Sequence, residues 1–335
     1  MAKLIGVDLG TANTLICTKG KGIILRSPSV VAISKANREI VALGPEARRM
    51  LGKTPEGILA FRPLKDGVIA DPDVTEKMLR TFFEVTDSIA FFSRPSVIAC
   101  IPYGVTEVEK SAVESAVYKA GARSVALIEE PLAAALGTGL RVGDARGSMI
   151  VDIGGGTTEV AVISLGGIVA SNSVRVAGDE LDEAIVNYLR RNRDILIGSA
   201  SAEELKLRIG LAHPTTDRGS MDICGRNLRN GMGSTISVRS AEIREALEEP
   251  LDLILRAIKA TLEETPPELS SDIYDYGIML TGGGALLPGV DRLIREKIGI
   301  RVTLAKRPLE SVCNGIFRVI ESEGRLGGLL HYRGR

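Results

Sequence analysis

The sequence has no tryptophan, only two histidines, and four cysteines scattered along it as Cys17, Cys100, Cys224 and Cys313. No C-x-x-C pair occurs and the histidines are too few to complete a tetrahedral set, so neither zinc nor a disulfide framework is suggested. Reduced cytosol is the compartment that fits. No apolar run is long enough to span a bilayer, and the first strand pattern begins directly after Met1-Ala2-Lys3, leaving no room for a signal peptide. An excess of either charge is also missing. The 42 basic and 42 acidic residues cancel, which gives no electrostatic reason to expect nucleic-acid binding.

What is present is a soluble globular composition, 44% apolar, in a chain of 335 residues, too long for one comfortable core. Two lobes are expected. The pattern that organises them is Met149-Ile150-Val151-Asp152-Ile153-Gly154-Gly155-Gly156-Thr157-Thr158-Glu159-Val160, an apolar run, an acid, a glycine turn with hydroxyls and a second apolar run. It reads as a β-hairpin whose glycine N–H groups converge on phosphate. The same order recurs at Ile5-Gly6-Val7-Asp8-Leu9-Gly10-Thr11-Ala12-Asn13-Thr14. A lone Asp-Gly-Thr is more often an ordinary turn; two copies suggest a duplicated core clamping a phosphate chain, with one Asp from each half near the charge. Gly52-Lys53-Thr54 imitates the end of a P-loop, but Ala47 stands where the leading glycine is needed, and it reads as a loop.

Between the hairpins, Ser27 to Ile33 reads as a third strand, followed by a small insert with a helix at Pro45 to Leu51. A helix after Asp71, a strand from Ser96 to Pro102, a helix from Val105 to Ala120 and a strand at Val125 to Ile128 are in β-α-β order. Glu129-Glu130-Pro131 ends that strand and opens an Ala-rich helix, where α/β sheets bind ligands; for Glu129 a favourable first-turn helix charge is the simpler account. Ser201 to Glu204 fits a capping box, and the spacing of Glu203 and Lys206 fits a surface ion pair on one helix face. A third glycine turn, Thr281-Gly282-Gly283-Gly284-Ala285, follows a strand and suits close packing against a sugar or base.

These stretches, with Arg62 to Asp71, Gly178-Asp179-Glu180 and Thr265-Pro266-Pro267-Glu268-Leu269, resemble in order the bacterial actin homologues of the MreB and Mbl type, the cell-shape-determining filament proteins. The resemblance covers nearly the whole length. The glycine motifs alone are shared with chaperone ATPases and sugar kinases; the Arg62 and Thr265 stretches narrow it.

The resemblance implies an α/β actin-like ATPase fold: two duplicated domains, each with an insert, closing on Mg-ATP. The first large subdomain would hold residues 1–33, 64–145 and 308–335, with an insert at 34–63. The second would hold 146–180 and 240–307, with an insert at 181–239. Thr11, Ala12 and Asn13 match the first phosphate loop, and Gly155, Gly156 and Thr157 the second. Asp8 and Asp152 match aspartates that face magnesium through water. Asp179 and the segments Glu203-Glu204-Leu205-Lys206 and Gly282-Gly283-Gly284-Ala285 match the nucleoside surroundings. Glu130, helped by Thr157, matches the carboxylate that orients the attacking water. Before Glu203 the family carries Gly-Glu-Arg-Thr-Ala where this chain has Gly198-Ser199-Ala200-Ser201-Ala202, and residues 209–239 match poorly.

The implied function is a slow ATPase that polymerises, as paired protofilaments, on the inner face of the cell membrane and organises cell-wall elongation proteins there. Ile89, Phe91 and Phe92 match an apolar loop that dips into lipid; the alternative is that both phenylalanines fold into the core. A chaperone ATPase would need a substrate-binding domain after the nucleotide domain, and a sugar or acetate kinase a general base for the acceptor hydroxyl; neither is found. A plasmid-segregating filament shares the chemistry and is set aside only by the family motifs.

Overall fold

The computed structural model describes residues 3–88, 94–214, 217–322 and 324–332. The chain begins with a meander, β1 (Leu4–Leu9), β2 (Asn13–Thr18) and β3 (Gly22–Pro28). It then builds a small three-stranded sheet from β4 (Val31–Ser34), β5 (Ile40–Leu43) and β6 (Ile58–Phe61), with α1 (Pro45–Met50) against it. Here the sequence reading fails in one respect. The strand expected over Ser27 to Ile33 is two strands in two sheets, because the chain turns at Ser29, which is bonded to the first glycine loop through Ser29 N to Ala12 O (3.0 Å) and Ser29 Oγ to Gly10 O (2.7 Å).

A short hairpin, β7 (Leu64–Lys65) and β8 (Val68–Ile69), returns the chain to the first lobe. There follow α2 (Pro72–Val85), β9 (Ser96–Ile101), α3 (Glu107–Lys119), β10 (Ser124–Glu129) and α4 (Glu130–Thr138). Local chemistry fixes these helix starts. Asp71 caps α2 by accepting from Val74 N at 3.1 Å with Pro72 behind it, and Thr106 and Glu109 form a reciprocal capping box on α3. Phe82 and Phe83 are core residues.

The second lobe repeats the plan: β11 (Ser148–Ile153), β12 (Thr158–Ser164) and β13 (Gly167–Val174), then α5 (Gly178–Arg193). An insert of β14 (Ile195–Leu196), α6 (Ser199–Ile209), β15 (Ser220–Asn227) and β16 (Gly233–Arg239) leads to α7 (Ser240–Glu263). The chain continues with α8 (Pro267–Tyr276), β17 (Ile278–Thr281), α9 (Val290–Ile298), β18 (Val302–Leu304) and α10 (Ser311–Glu321). α5 runs unbroken across the boundary expected at residue 180, and α6 begins at Ser199 with no side-chain cap. The Ser201 capping box does not form, because Ser201 lies inside the helix.

The two large sheets have matching orders, β10-β9-β1-β2-β3 and β13-β12-β11-β17-β18, in which an antiparallel meander meets parallel strands at β1–β9 and β11–β17. Strand alternation places the acids. Ile5, Val7 and Leu9 enter the first-lobe core and Met149, Val151 and Ile153 the second-lobe core, so Asp8 and Asp152 point to the opposite, inward faces. Those inward faces share a third core, in which α4 and α10 lie between the sheets. The helices meet backbone to backbone, Gly137 against Ser311 and Gly315 against Ala133, where any larger residue would collide. Both Asp side chains lie at strand ends just past this helix layer, at the bottom of a cleft.

Candidate functional site

The cleft holds a cavity of about 380 Å³ with two chemically distinct ends. Its acidic end is formed by Asp8, Asp152 and Glu130, beside Ala12 and Asn13 of one glycine loop and Gly154 and Gly155 of the other. The loops touch: a Cβ on Gly155 would lie 2.7 Å from Ala12 Cβ, so this close approach needs glycine. Asp179 N donates to Gly155 O at 2.8 Å, tying the second loop to the start of α5. Its other end is apolar, with Leu207, Leu286, Leu309, Pro308 and Val312 around the third glycine turn. The three leucines are 63%, 47% and 45% exposed, large apolar surface turned toward a cavity rather than into a core. Gly282 has φ 85° and its missing side chain leaves room for Ile153 O and the Asp152 carboxyl.

The acidic end lacks compensating charge. Desolvation, followed by repulsion from neighbouring carboxylates, pushes Asp152 up to about 8 and Glu130 well above the usual carboxylate range. Desolvation pushes Asp8 up to about 6 against the Cys100 thiol, whose hydrogen bond favours the anion. Burial and these same carboxylates push the Cys100 thiol up, so it remains a donor. Glu159, which the sequence reading passed over, is 1% exposed next to Asp152 in the hairpin register. It accepts from Ser173 Oγ at 2.6 Å and, across the lobes, from Tyr103 N at 3.3 Å. Burial raises it too.

Such a donor set suits a small hydrated dication that brings its own anionic partner. No three His, Cys, Asp or Glu side chains form a metal cage among the described residues, while three desolvated carboxylates, Asp8, Asp152 and Glu130, face one cavity. Magnesium held through water and phosphate has that requirement.

Cations enter from the rim. Arg62, before the β7–β8 hairpin, pairs with Asp179 across the cleft. Arg48 of α1 pairs with Glu203 of α6 at 2.7 Å, joining the two inserts over the cavity mouth. Lys206 lies 2.7 Å from Asp182 Oδ1 and donates to Gly178 O at 2.6 Å. Burial outweighs this ammonium and leaves Asp182 raised to about 6. The expected Glu203–Lys206 surface pair is therefore replaced by two separate partnerships, each reaching beyond α6.

Twelve of the sequence-selected residues line the cavity: Asp8, Ala12, Asn13, Glu130, Asp152, Gly155, Asp179, Glu203, Lys206, Gly282, Gly283 and Gly284. Six others lie off its wall. Leu205 and Ala285 belong to the second-lobe core, and Glu204 faces outward to Arg208. Thr11, Gly156 and Thr157 lie behind the loops around the Asp66–Gly67 turn, where Gly67 N donates to Thr11 Oγ1 at 3.1 Å and a Gly67 Cβ would meet Thr157. Ile89, Phe91 and Phe92 fall outside the described residues. Arg62, Leu207, Leu286, Leu309 and Arg218 were missed as cavity residues. The Leu-Leu-Pro-Gly and Pro-Leu-Glu segments that follow two strands are the sequence signal for Leu286 and Leu309, and neither points to Leu207.

A family model described as MreB/Mbl protein matches residues 2–327. The chain belongs to the MreB/Mbl family. It is 52% identical over 329 residues to the cell shape-determining protein MreB of Escherichia coli (strain K12), covering 97% of this chain and 95% of that protein. With the cell shape-determining protein Mbl of Bacillus subtilis (strain 168) it shares 46% over 325 residues, covering 97% and 98%. The crystal structure of MreB5 of Spiroplasma citri bound to ADP superimposes with a TM-score of 0.91 at 36% identity, over 96% of this chain and 97% of that one. This MreB/Mbl chain accordingly has the actin-like fold, and the duplicated hairpins seen in its sequence are the two halves of that fold.

Proposed function

We propose that the protein is an ATP-driven cytoskeletal filament subunit of the cell-shape-determining class. The observation that carries this reading is the cavity itself: desolvated carboxylates and two touching glycine loops at one end, an apolar slot at the other. A purine fits the slot of Leu207, Leu286 and Leu309, a ribose lies near Asp179 and Lys206, and the polyphosphate runs between the loops. Structures of the Spiroplasma citri relative with ADP and AMPPNP support a nucleotide as ligand.

Within this reading Asp8 and Asp152 would hold magnesium through water, and the ion would supply positive charge for the phosphates at the acidic end. Glu130 stands at the strand-to-helix corner as the first residue of α4, faces the phosphates and orients the attacking water, with Thr157 behind the second loop fixing the local geometry. Burial and the neighbouring carboxylates raise Glu130 and favour its protonated form in the empty site; a bound dication would favour the carboxylate that accepts a proton as the water attacks. Asn13, Ala12 and Gly155 exclude bulk water from the phosphate side. Assembly into a homopolymer, peripheral attachment to the inner membrane face through Ile89, Phe91 and Phe92, and contact with cell-wall elongation proteins complete the proposal. Support for them is family membership together with exposed apolar side chains such as Val108 and Tyr274.

The test is Glu130→Ala with and without ATP. Turnover is expected to fall by about two orders of magnitude, as for loss of a water-positioning group, while nucleotide affinity stays within a few-fold. Electron microscopy of the wild type with ATP should show polymer. Wild-type turnover in the variant, with binding verified, refutes the role of Glu130; absence of Mg-dependent nucleotide binding in the wild type refutes the function.

A further inference from the structure

Asp8 and Asp152 occupy matching places in the two halves, and so do their neighbours on the adjoining parallel strands. β1 pairs with β9 with Val7 opposite Ala99, which brings Cys100 beside Asp8; β11 pairs with β17 with Asp152 opposite Thr281. These equivalent neighbours behave differently. Thr281 Oγ1 turns away from its aspartate, donating to Ser311 Oγ at 2.6 Å and Pro308 O at 3.2 Å. Cys100 Sγ instead donates to Asp8 Oδ1 at 3.4 Å, and among the described residues this is the hydrogen bond made by the Asp8 carboxyl. Among the described residues, the duplicated core thus holds one of its two cavity aspartates by a side-chain hydrogen bond and the other by none.

We propose that Cys100 is a positioning residue, whose thiol occupies one oxygen of Asp8 and so presents the other to hydrated magnesium on the nucleotide. The inference rests on the nucleotide reading above. Its chemistry is that of outer-shell hydrogen bonds, which orient a carboxylate before the ion arrives and so remove an ordering cost from binding. A thiol at 6% exposure suits the task, since it fills apolar space among Leu15, Ile98 and Ile128 while still offering one weak donor.

The test measures the magnesium concentration that gives half-maximal binding of a fluorescent ATP analogue to wild type, Cys100→Ala and Cys100→Ser. Outer-shell losses reduce metal affinity about 10- to 100-fold, and a weak donor belongs at the low end, so Cys100→Ala should need about tenfold more magnesium. Cys100→Ser, which keeps a donor, should recover most of that loss. In chelator, metal-free nucleotide affinity should be the same for all three. Cys17→Ala, removing a buried thiol that donates to Cys313 O and does not touch Asp8, serves as the packing control and should leave the magnesium midpoint unchanged. If Cys100→Ala fails to fold, Cys100→Val fills the space without a donor and carries the same comparison. An unchanged midpoint overturns the inference, as does an equal loss with and without magnesium. Failure of wild type to bind nucleotide with magnesium would instead overturn the functional reading.

Discussion

Replacing Asp152 by Asn should stabilise the empty protein at alkaline pH while impairing its nucleotide site. Burial and neighbouring carboxylates raise Asp152 from 3.8 to about 8. A folded-state pKa above the unfolded one means that stability is fully present below about pH 4 and is lost as pH rises toward 8. About four units at 1.36 kcal/mol each give roughly 5–6 kcal/mol as the ceiling. Water entering the open cleft screens part of that charge, so about half, ~3 kcal/mol, is the expected gain in Asp152→Asn above pH 8. In lobes of this size that corresponds to roughly 6–12 °C in melting temperature. Thermal melts of wild type and variant without nucleotide, from pH 5 to pH 9, supply the test. The difference should be smallest at pH 5, widen steadily as pH rises to about 8 and level off above it, and the wild type alone should regain the difference with Mg-ATP. A constant offset across the range, or a variant that melts lower at pH 9, would refute the charge argument.

Arg48→Ala removes a rim pair whose side chains are 45% and 27% exposed. Screening limits its worth to about 0.5–1 kcal/mol, so ADP release should quicken about two- to fivefold at low salt, less at high salt. Identical release rates by stopped flow at low salt would show that the pair does not hold the inserts closed. Phe91→Ser/Phe92→Ser should abolish flotation of polymer with anionic liposomes while polymerisation persists. Two apolar side chains give only about 3–6 kcal/mol per subunit at most, multiplied along a filament. Equal flotation of variant and wild type would rule out these residues as the anchor.

The duplicated hairpins were legible in the sequence because each is a local pattern: strand alternation, an acid, glycines and a turn within about fifteen residues. Helix boundaries at Asp71 and Thr106 were equally local. What the sequence hid lies between distant segments. Glu203 and Lys206 look like a pair by spacing, yet one reaches Arg48 and the other Asp182, and helical periodicity carries no information about an opposing lobe. The apolar slot takes Leu207, Leu286 and Leu309 from three separate segments. Ser27 to Ile33 was misread because a continuous apolar pattern does not reveal that Ser29 is anchored to Ala12 and Gly10 and redirects the chain.

The contact of α4 with α10 has a mechanical consequence. Backbone touches backbone at Gly137–Ser311 and Ala133–Gly315, so no compressible side-chain layer separates the helices, and relative rotation of the sheets they serve must turn about this pivot. Glu130 begins the arm that leaves the pivot, about 10 Å from Gly137 at the helical rise. A turn of about five degrees displaces its carboxyl by about 1 Å, enough by geometry alone to alter the rate about 100-fold. With Glu130 in its proposed role, hydrolysis would be geared to the angle between the lobes, and a neighbouring subunit that changed that angle would set the rate without any residue of its own entering the cleft.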